Sequence, residues 1–374
     1  MGGPSRGAVG AALLGGALIL LAGLFDAEPL YVPGISLLVL ATLAVAWVRA
    51  AARGARVTRT VAGTRVQEGE PLLVEIEVRS GLVAVPSGEV RDALLARPAR
   101  LGLARRRTRV RIRARFARRG RRTLAPAAVL ITDPLGLAGA VVTTRGPADD
   151  VLVLPRVEPV RAPGRTGGRS AAGRSLRGAG AEADLDGLRV HRPGAPASRI
   201  AWQVYARTGE LHERNLRAGG DARPLVVLDL AGAPDADRAD AAVRAAASLV
   251  VHLAERGGGA LPLPGERRAI AIDPGLRAWP AAHARLALVA PGRRPALAAL
   301  SGRSGPVLWV SARALREPPR ALLHTTGSAR LLVVPATIAG RAARFTVAGC
   351  TGYEVGRRSR APGRARVAAP GAGT

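Results

Sequence analysis

The 374 residues contain no lysine, so all 56 basic Lys/Arg positions are arginine. That absence excludes several chemistries. A phosphate-binding P-loop needs a Lys to reach the β- and γ-phosphates. A pyridoxal-phosphate enzyme needs one for its Schiff base, and a protein kinase needs one on its third strand. Cysteine is nearly absent too: Cys350 is the only one, which rules out an intrachain disulfide and a multi-cysteine zinc site. Aromatic residues make up 3 % of the chain. Base stacking, the usual basis of single-strand nucleic-acid binding, therefore has few platforms.

What is abundant is Ala, Gly, Arg and Pro, all encoded by codons rich in G and C. With 27 acids the formal net charge is +29. A GC-rich genome that spells Lys as Arg accounts for this. A polyanionic partner, anionic lipid or nucleic acid, is the alternative.

Two stretches carry no charge. Gly7–Phe25 and Tyr31–Val48 are each long enough to cross about 30 Å of hydrocarbon at about 1.5 Å per residue. The link Asp26-Ala27-Glu28-Pro29-Leu30 is so short that the two helices must run antiparallel. Arg6 precedes the first stretch, and Arg49, Arg53, Arg56 and Arg59 follow the second, whereas the link has only acids. The positive-inside rule then predicts a two-pass hairpin in the inner membrane with both termini cytoplasmic. No small-x-small cleavage site follows the first stretch, which argues against a signal peptide.

From about Arg56 to Val160 short alternating runs predict strands. Arg109-Val110-Arg111-Ile112-Arg113-Ala114-Arg115-Phe116 alternates strictly, with its apolar set facing a core and Arg109, Arg111, Arg113 and Arg115 on the other side. Leu72–Val78, Ala128–Thr132 and Val151–Leu154 are further strands, and together they predict a small β-sandwich. Eleven of the eighteen residues from Arg105 to Arg122 are arginine. This is either a solvated strand face or a basic face attracted to anionic headgroups. Residues 161–222 hold a Gly/Arg/Ser-rich linker and a motif-bearing segment. Over 223–355 the texture becomes α/β. Continuous apolar runs at Pro224–Leu230, Val307–Val310 and Leu331–Val334 alternate with helical periodicity over Ala239–Arg256 and Ala281–Val289, which predicts an open parallel sheet. The tail, 356–374, has the composition of a disordered segment.

The segment Asp186-Gly187-Leu188-Arg189-Val190-His191-Arg192-Pro193-Gly194, continuing through Arg199-Ile200-Ala201-Trp202 and Ala206-Arg207, resembles the signature of the bacterial family called domain of unknown function 58. The apolar helix pair, Asp133-Pro134-Leu135-Gly136-Leu137 and Leu154-Pro155-Arg156 agree with it in order. The chain departs from that pattern at Asp184-Leu185, His191, Ala195 and Gln203. The resemblance implies a C-terminal domain similar to the von Willebrand factor A fold, partnership with a MoxR-type AAA+ ATPase, and a role near the cell envelope. That fold often binds a divalent cation through Asp-x-Ser-x-Ser. Here the slot reads Asp229-Leu230-Ala231-Gly232-Ala233, with both hydroxyls gone, so neither a metal nor any other cofactor is expected.

The expectation is therefore a multidomain membrane protein: hairpin 1–50, β-sandwich 56–160, linker and signature 161–222, α/β von Willebrand factor A-like domain 223–355. Arg189, Gly194, Arg199, Trp202 and Arg207 form either a structural clasp, in which Trp202 packs and the arginines bind carboxylates or carbonyls, or a docking surface rich in hot-spot residue types. The clasp is the expected arrangement. No Gly-x-Ser-x-Gly elbow or carboxylate pair is present, and His212-Glu213 fails as a zinc motif because Leu216 replaces the second His. Cys350 with one of the five histidines is the remaining candidate nucleophile pair. A non-enzymatic, membrane-anchored scaffold is the expected function. A hydrolase with an unrecognised site and a lipid- or nucleic-acid-binding module are the rivals.

Overall fold

The computed structural model describes residues 6–102, 106–146, 148–162, 188–190, 202–214, 223–301, 303, 305–325 and 329–356. Gly194, Arg199, nearly all of the linker and the tail beyond Gly356 lie outside them. The chain divides into two compact units between Leu154 and Pro155.

The first unit begins with helices α1 (Arg6–Leu24) and α2 (Tyr31–Gly54), joined through a 3-10 turn at Glu28–Leu30. Both are long and apolar enough to cross a membrane. A helix that is apolar all round must bury every face, in protein or in lipid. Here Leu13, Leu20, Leu24, Val32, Ile35 and Leu43 are exposed. The hydroxyls of Ser36 and Thr42 donate back to the carbonyls of Val32 and Leu38, at 2.7 and 2.5 Å, so neither is left unsatisfied. The helices meet at small residues. A Cβ on Gly15 would lie 2.7 Å from the Gly34 carbonyl oxygen, and one on Gly34 would lie 2.7 Å from Ile19 Cγ1.

Ten strands follow: β1 (Arg56–Val61), β2 (Arg65–Gln67), β3 (Pro71–Arg79), β4 (Ser87–Arg91), β5 (Ala99–Leu101), β6 (Arg107–Arg115), β7 (Gly120–Leu124), β8 (Ala128–Thr132), β9 (Gly139–Thr143) and β10 (Asp149–Leu154). They form three sheets, ordered β1-β3-β6, β2-β10-β7 and β5-β4-β8-β9. All pairings are antiparallel except β10 with β2. The predicted alternation of β6 holds, with Ile112 and Ala114 buried and the arginines exposed. Val74, Ile76, Ile112, Val129, Ile131, Val151 and Val153 come from all three sheets and share one core. Ala44 and Val48 of α2 belong to the same core, so the hairpin and the strands are one packed unit.

The second unit contains β11 (Leu188–Val190), α3 (Trp202–Thr208), β12 (His212–Arg214), β13 (Leu225–Asp229), α4 (Ala236–Ala254), β14 (Gly259–Leu261), β15 (Ile270–Ile272), α5 (Trp279–Ala287), β16 (Val307–Ser311), α6 (Arg320–Leu323), β17 (Arg330–Val334), β18 (Ala343–Val347) and β19 (Cys350–Glu354). β11 and β12 pair with each other. The rest form a seven-stranded sheet ordered β15-β14-β13-β16-β17-β19-β18. The predicted open parallel sheet is corrected here, because the sheet is mixed. β14, β13, β16 and β17 are parallel, while β15 and β19 run against their neighbours. Residues 262–269 between β14 and β15 are too few for the dozen or more of a crossover. β18 turns into β19 through Ala348-Gly349, at φ +48 and +77, the two-residue left-handed turn that hairpins favour.

Burial explains the continuous apolar runs. Every residue of β13 and β16 is buried. α4 covers the sheet through Ala242, Val243, Ala246, Leu249 and Val250, and it starts on an Asp235 side chain that accepts the Arg238 N–H at 2.7 Å. Val160 packs into this second core and Arg161 bridges to Thr346 of β18, so residues 155–162 go with the α/β unit and not with the strands that precede them.

Candidate functional site

In an open α/β sheet, ligands bind beyond the carboxyl ends of the parallel strands, where the strand order reverses. Here that point lies between β13 and β16, whose last residues, Asp229 and Ser311, are Cα partners. Asp229 is buried and one of its oxygens accepts the Ala231 N–H at 3.1 Å. Burial raises its pKa above the ordinary carboxylate value. That rise is opposed by the Ala231 N–H and by the positive charge of Arg313. The Arg313 side chain lies across the loop at Gly232, where a Cβ would come within 3.1 Å of its Cδ, and Gly232 has φ +62. Ser311 Oγ accepts the Arg313 N–H at 3.1 Å. The slot thus combines one carboxylate with one guanidinium, and Ala231 and Ala233 beside it offer no side-chain oxygen to a cation. Among the described residues no group of three or more His, Cys, Asp or Glu could hold a metal ion.

Of the residues singled out between the linker and the sheet, Arg189, Trp202 and Arg207 are described. Arg189 lies on β11 as the Cα partner of Glu213 on β12. Trp202 and Tyr205 lie on α3, their rings edge to face with centroids 6.3 Å apart. Trp202 is 56 % exposed and Tyr205 43 %. Arg207 is exposed as well, but at about 100° per residue it lies on the opposite side of α3 from both rings. α3 ends at Gly209, φ +70, whose N–H returns to the Tyr205 carbonyl at 2.9 Å. In the expected clasp Trp202 would pack; in the fold its ring and that of Tyr205 form one exposed aromatic surface, while Arg199 lies outside the described residues.

The arginine face of β6 is partly neutralised by β3. Glu77 meets Arg107 at 2.7 Å and Arg109 at 3.3 Å, and also contacts Arg79. Glu75 meets Arg109 at 3.2 Å and Arg111 at 3.4 Å. Hydrogen bonds from Arg107 and then Arg79 hold the Glu77 carboxyl down to about 2. Arg113 and Arg115 lie opposite Leu73 and Pro71, which offer no countercharge. The face is therefore an ion-pair ladder at one end and a pair of arginines beside an exposed leucine at the other.

The nucleophile candidate fails on environment. Cys350 is fully buried and burial pushes its thiol up to about 12, whereas a reactive cysteine needs a stabilised thiolate. His252 is pushed down to about 4 by burial and by Arg256. His283 is buried, stacks on Trp279 at 4.5 Å and places Nε2 2.7 Å from the Pro155 carbonyl oxygen. A groove of about 600 Å³ is lined by Glu317, Arg341, Arg344 and Glu354 among others. Glu354 pairs with Leu331 near the start of β17, so this groove lies at the amino ends of the parallel strands, away from the Asp229 slot.

Neither protein-family models nor curated protein sequences match the chain.

Proposed function

We propose that this protein is a non-enzymatic, membrane-anchored scaffold whose α/β unit docks a MoxR-type AAA+ ATPase. The observation that carries the reading is the exposed Trp202–Tyr205 pair on α3. Large aromatic and arginine side chains dominate interface hot spots, and water-exposed aromatic pairs of this kind gain most by being covered. The anchor reading is supported by the outward apolar surface of α1 and α2. The arginines that flank the two apolar stretches support a cytoplasmic placement of both ends of the hairpin. A von Willebrand factor A-like assignment for the second unit is supported by the strand order 3-2-1-4-5, counted from β13, with the third strand antiparallel and Asp229 ending the first. Arg313 beside that aspartate supplies a positive charge within the protein, so docking through a shared divalent cation is not part of the proposal.

The test is affinity recovery of the full chain from detergent-solubilised membranes with and without ATP. Because the chain has no lysine, a photo-crosslinking residue at Tyr205 is preferable to an amine-reactive reagent. An AAA+ ATPase should crosslink at position 205 and be lost from Trp202→Ala at unchanged melting temperature. Recovery of no ATPase in either nucleotide condition would refute the scaffold.

A further inference from the structure

The Asp133-Pro134-Leu135-Gly136-Leu137 motif has no role in the docking surface, yet its geometry is elaborate for a surface turn. It joins β8 to β9, and Asp133 organises it. The Gly136 N–H donates to the Asp133 carbonyl at 3.1 Å, closing a turn with Pro at its second position and Gly136, φ +72, at its fourth. The Asp133 carboxylate accepts from Leu135 N–H at 2.9 Å and from Ala138 N–H at 2.5 Å, and Asp133 N–H donates to the Ala138 carbonyl at 3.3 Å. Pro134 has no N–H to satisfy. With the N–H groups of Asp133, Leu135, Gly136 and Ala138 bonded within the turn and none on Pro134, the turn has fewer donors to strip of water on entering lipid, where an unsatisfied donor is costly.

The side chains fit the same environment. Asp133 is buried and Leu137 packs against the strand core, while Pro134 and Gly136 are exposed and Leu135 is 65 % exposed. Residues 134–144 carry no charge, in a chain whose composition is 22 % charged. Val141, on the outer face of β9, is exposed as well.

Position identifies the occupant. The Ala8 N–H, in the first turn of α1, donates to the Leu137 carbonyl at 3.0 Å. Ala8 is the third residue of α1, so this contact lies only about 3 Å along the axis from the end of the helix. Ala44 and Val48, on the facing part of α2, share a core with Leu137. The 19 residues of α1 span about 28 Å, close to the hydrocarbon thickness, so its ends mark the two edges of the slab.

We infer that the Asp133–Ala138 turn is a membrane-contacting loop that inserts Pro134 and Leu135 into the interfacial lipid beside the first turn of α1. The inference rests on the anchor reading of α1 and α2. It makes the strand domain a monotopic partner of the bilayer, held to the surface at a second place besides its tether.

The test uses the full chain in phosphatidylcholine/phosphatidylglycerol proteoliposomes with an environment-sensitive fluorophore on single introduced cysteines. Native Cys350 is buried, with a thiol pushed up to about 12, and stays unlabelled. The probes are Leu135→Cys and Pro134→Cys in the turn, Leu20→Cys on the exposed face of α1, and Leu82→Cys. Leu82 is fully exposed and follows Gly81, which packs on Gly54. Gly54 is ten residues past Ala44, about 15 Å further along α2. Probes at 135 and 134 should be quenched by spin-labelled lipid, as at 20. Their quenching by aqueous iodide should be several-fold weaker than at 82. If 135 and 134 match 82 in iodide while 20 is quenched by lipid, the loop is wrong and the anchor stands. If 20 itself is quenched by iodide and not by lipid, anchor and loop fall together.

Discussion

Arg59 shows how far a single residue can depart from its local context. It follows a helix and sits in a run of arginines, so the sequence places it with the positive-inside set. In the fold its side chain is 3 % exposed. It donates to Asp149 at 2.6 Å, Asp92 at 3.1 Å and the carbonyls of Ala125 and Leu124 at 2.6 and 3.0 Å. Its acids lie 33 and 90 residues away, which no local pattern can announce. Asp92 is as buried as Arg59, so removing the guanidinium strands a buried carboxylate. Arg59→Ala should lower stability by about 3–5 kcal/mol in denaturant titration. Arg59→Lys should recover only part of this, because an ammonium cannot span the same fork. His252 gives a pH-dependent case. Its folded pKa of about 4 lies below the ordinary 6.5, so between those values the unfolded chain binds more protons. The stabilisation is complete above pH 6.5 and is lost as pH falls toward 4. His252→Gln should flatten the melting temperature over that window.

At the level of elements, legibility followed periodicity and length. The strict alternation of β6 and the apolar runs of β13, β16 and β17 were plain in the sequence, because each strand answers to one face or two. The three-residue strands β2, β5 and β14 were not, since so short a segment takes its conformation from its neighbours. The turn between β8 and β9 could be read as a turn, from its Asp, Pro and Gly; its approach to α1 could not. The candidate site divides the same way: Asp229 and the signature residues were found by motif, but the exposure of Trp202 and the Arg313 side chain across Gly232 are products of the fold. The helix hairpin offers the sharpest test at this scale. Apolar periodicity says nothing about which glycines touch, yet a Cβ at Gly34 would meet Ile19 and the Gly15 carbonyl, while one at Gly16 would meet nothing within 4 Å. Helix packing in lipid depends on such close backbone approach. Gly34→Val should open the hairpin and lower thermal stability in detergent, by about 1–3 kcal/mol as for overpacking elsewhere. Gly16→Val should be neutral.

For the whole molecule, the question is how many cooperative units 374 residues make. Among the described residues each unit has apolar clusters of its own: one in the first, drawn from α2 and three sheets, and two in the second, on the two faces of the mixed sheet. A chain built this way has no reason to melt in one step, because losing one core does not remove burial from another. Calorimetry of the full chain in detergent should therefore resolve two transitions. Arg59→Ala should lower one of them. Phe345→Ala, which removes a fully buried ring packed on Gly352, should lower the other, by about 3–5 kcal/mol. Acidification from pH 6.5 to 4 should act through His252 on the transition that Phe345→Ala moves and not on the other. The Arg59 transition should in turn respond to whatever holds the hairpin, because Ala44 and Val48 lie in that core: Gly34→Val should shift it, and the Phe345 transition should stay. A single transition displaced by all of these changes would mean that the two units unfold as one.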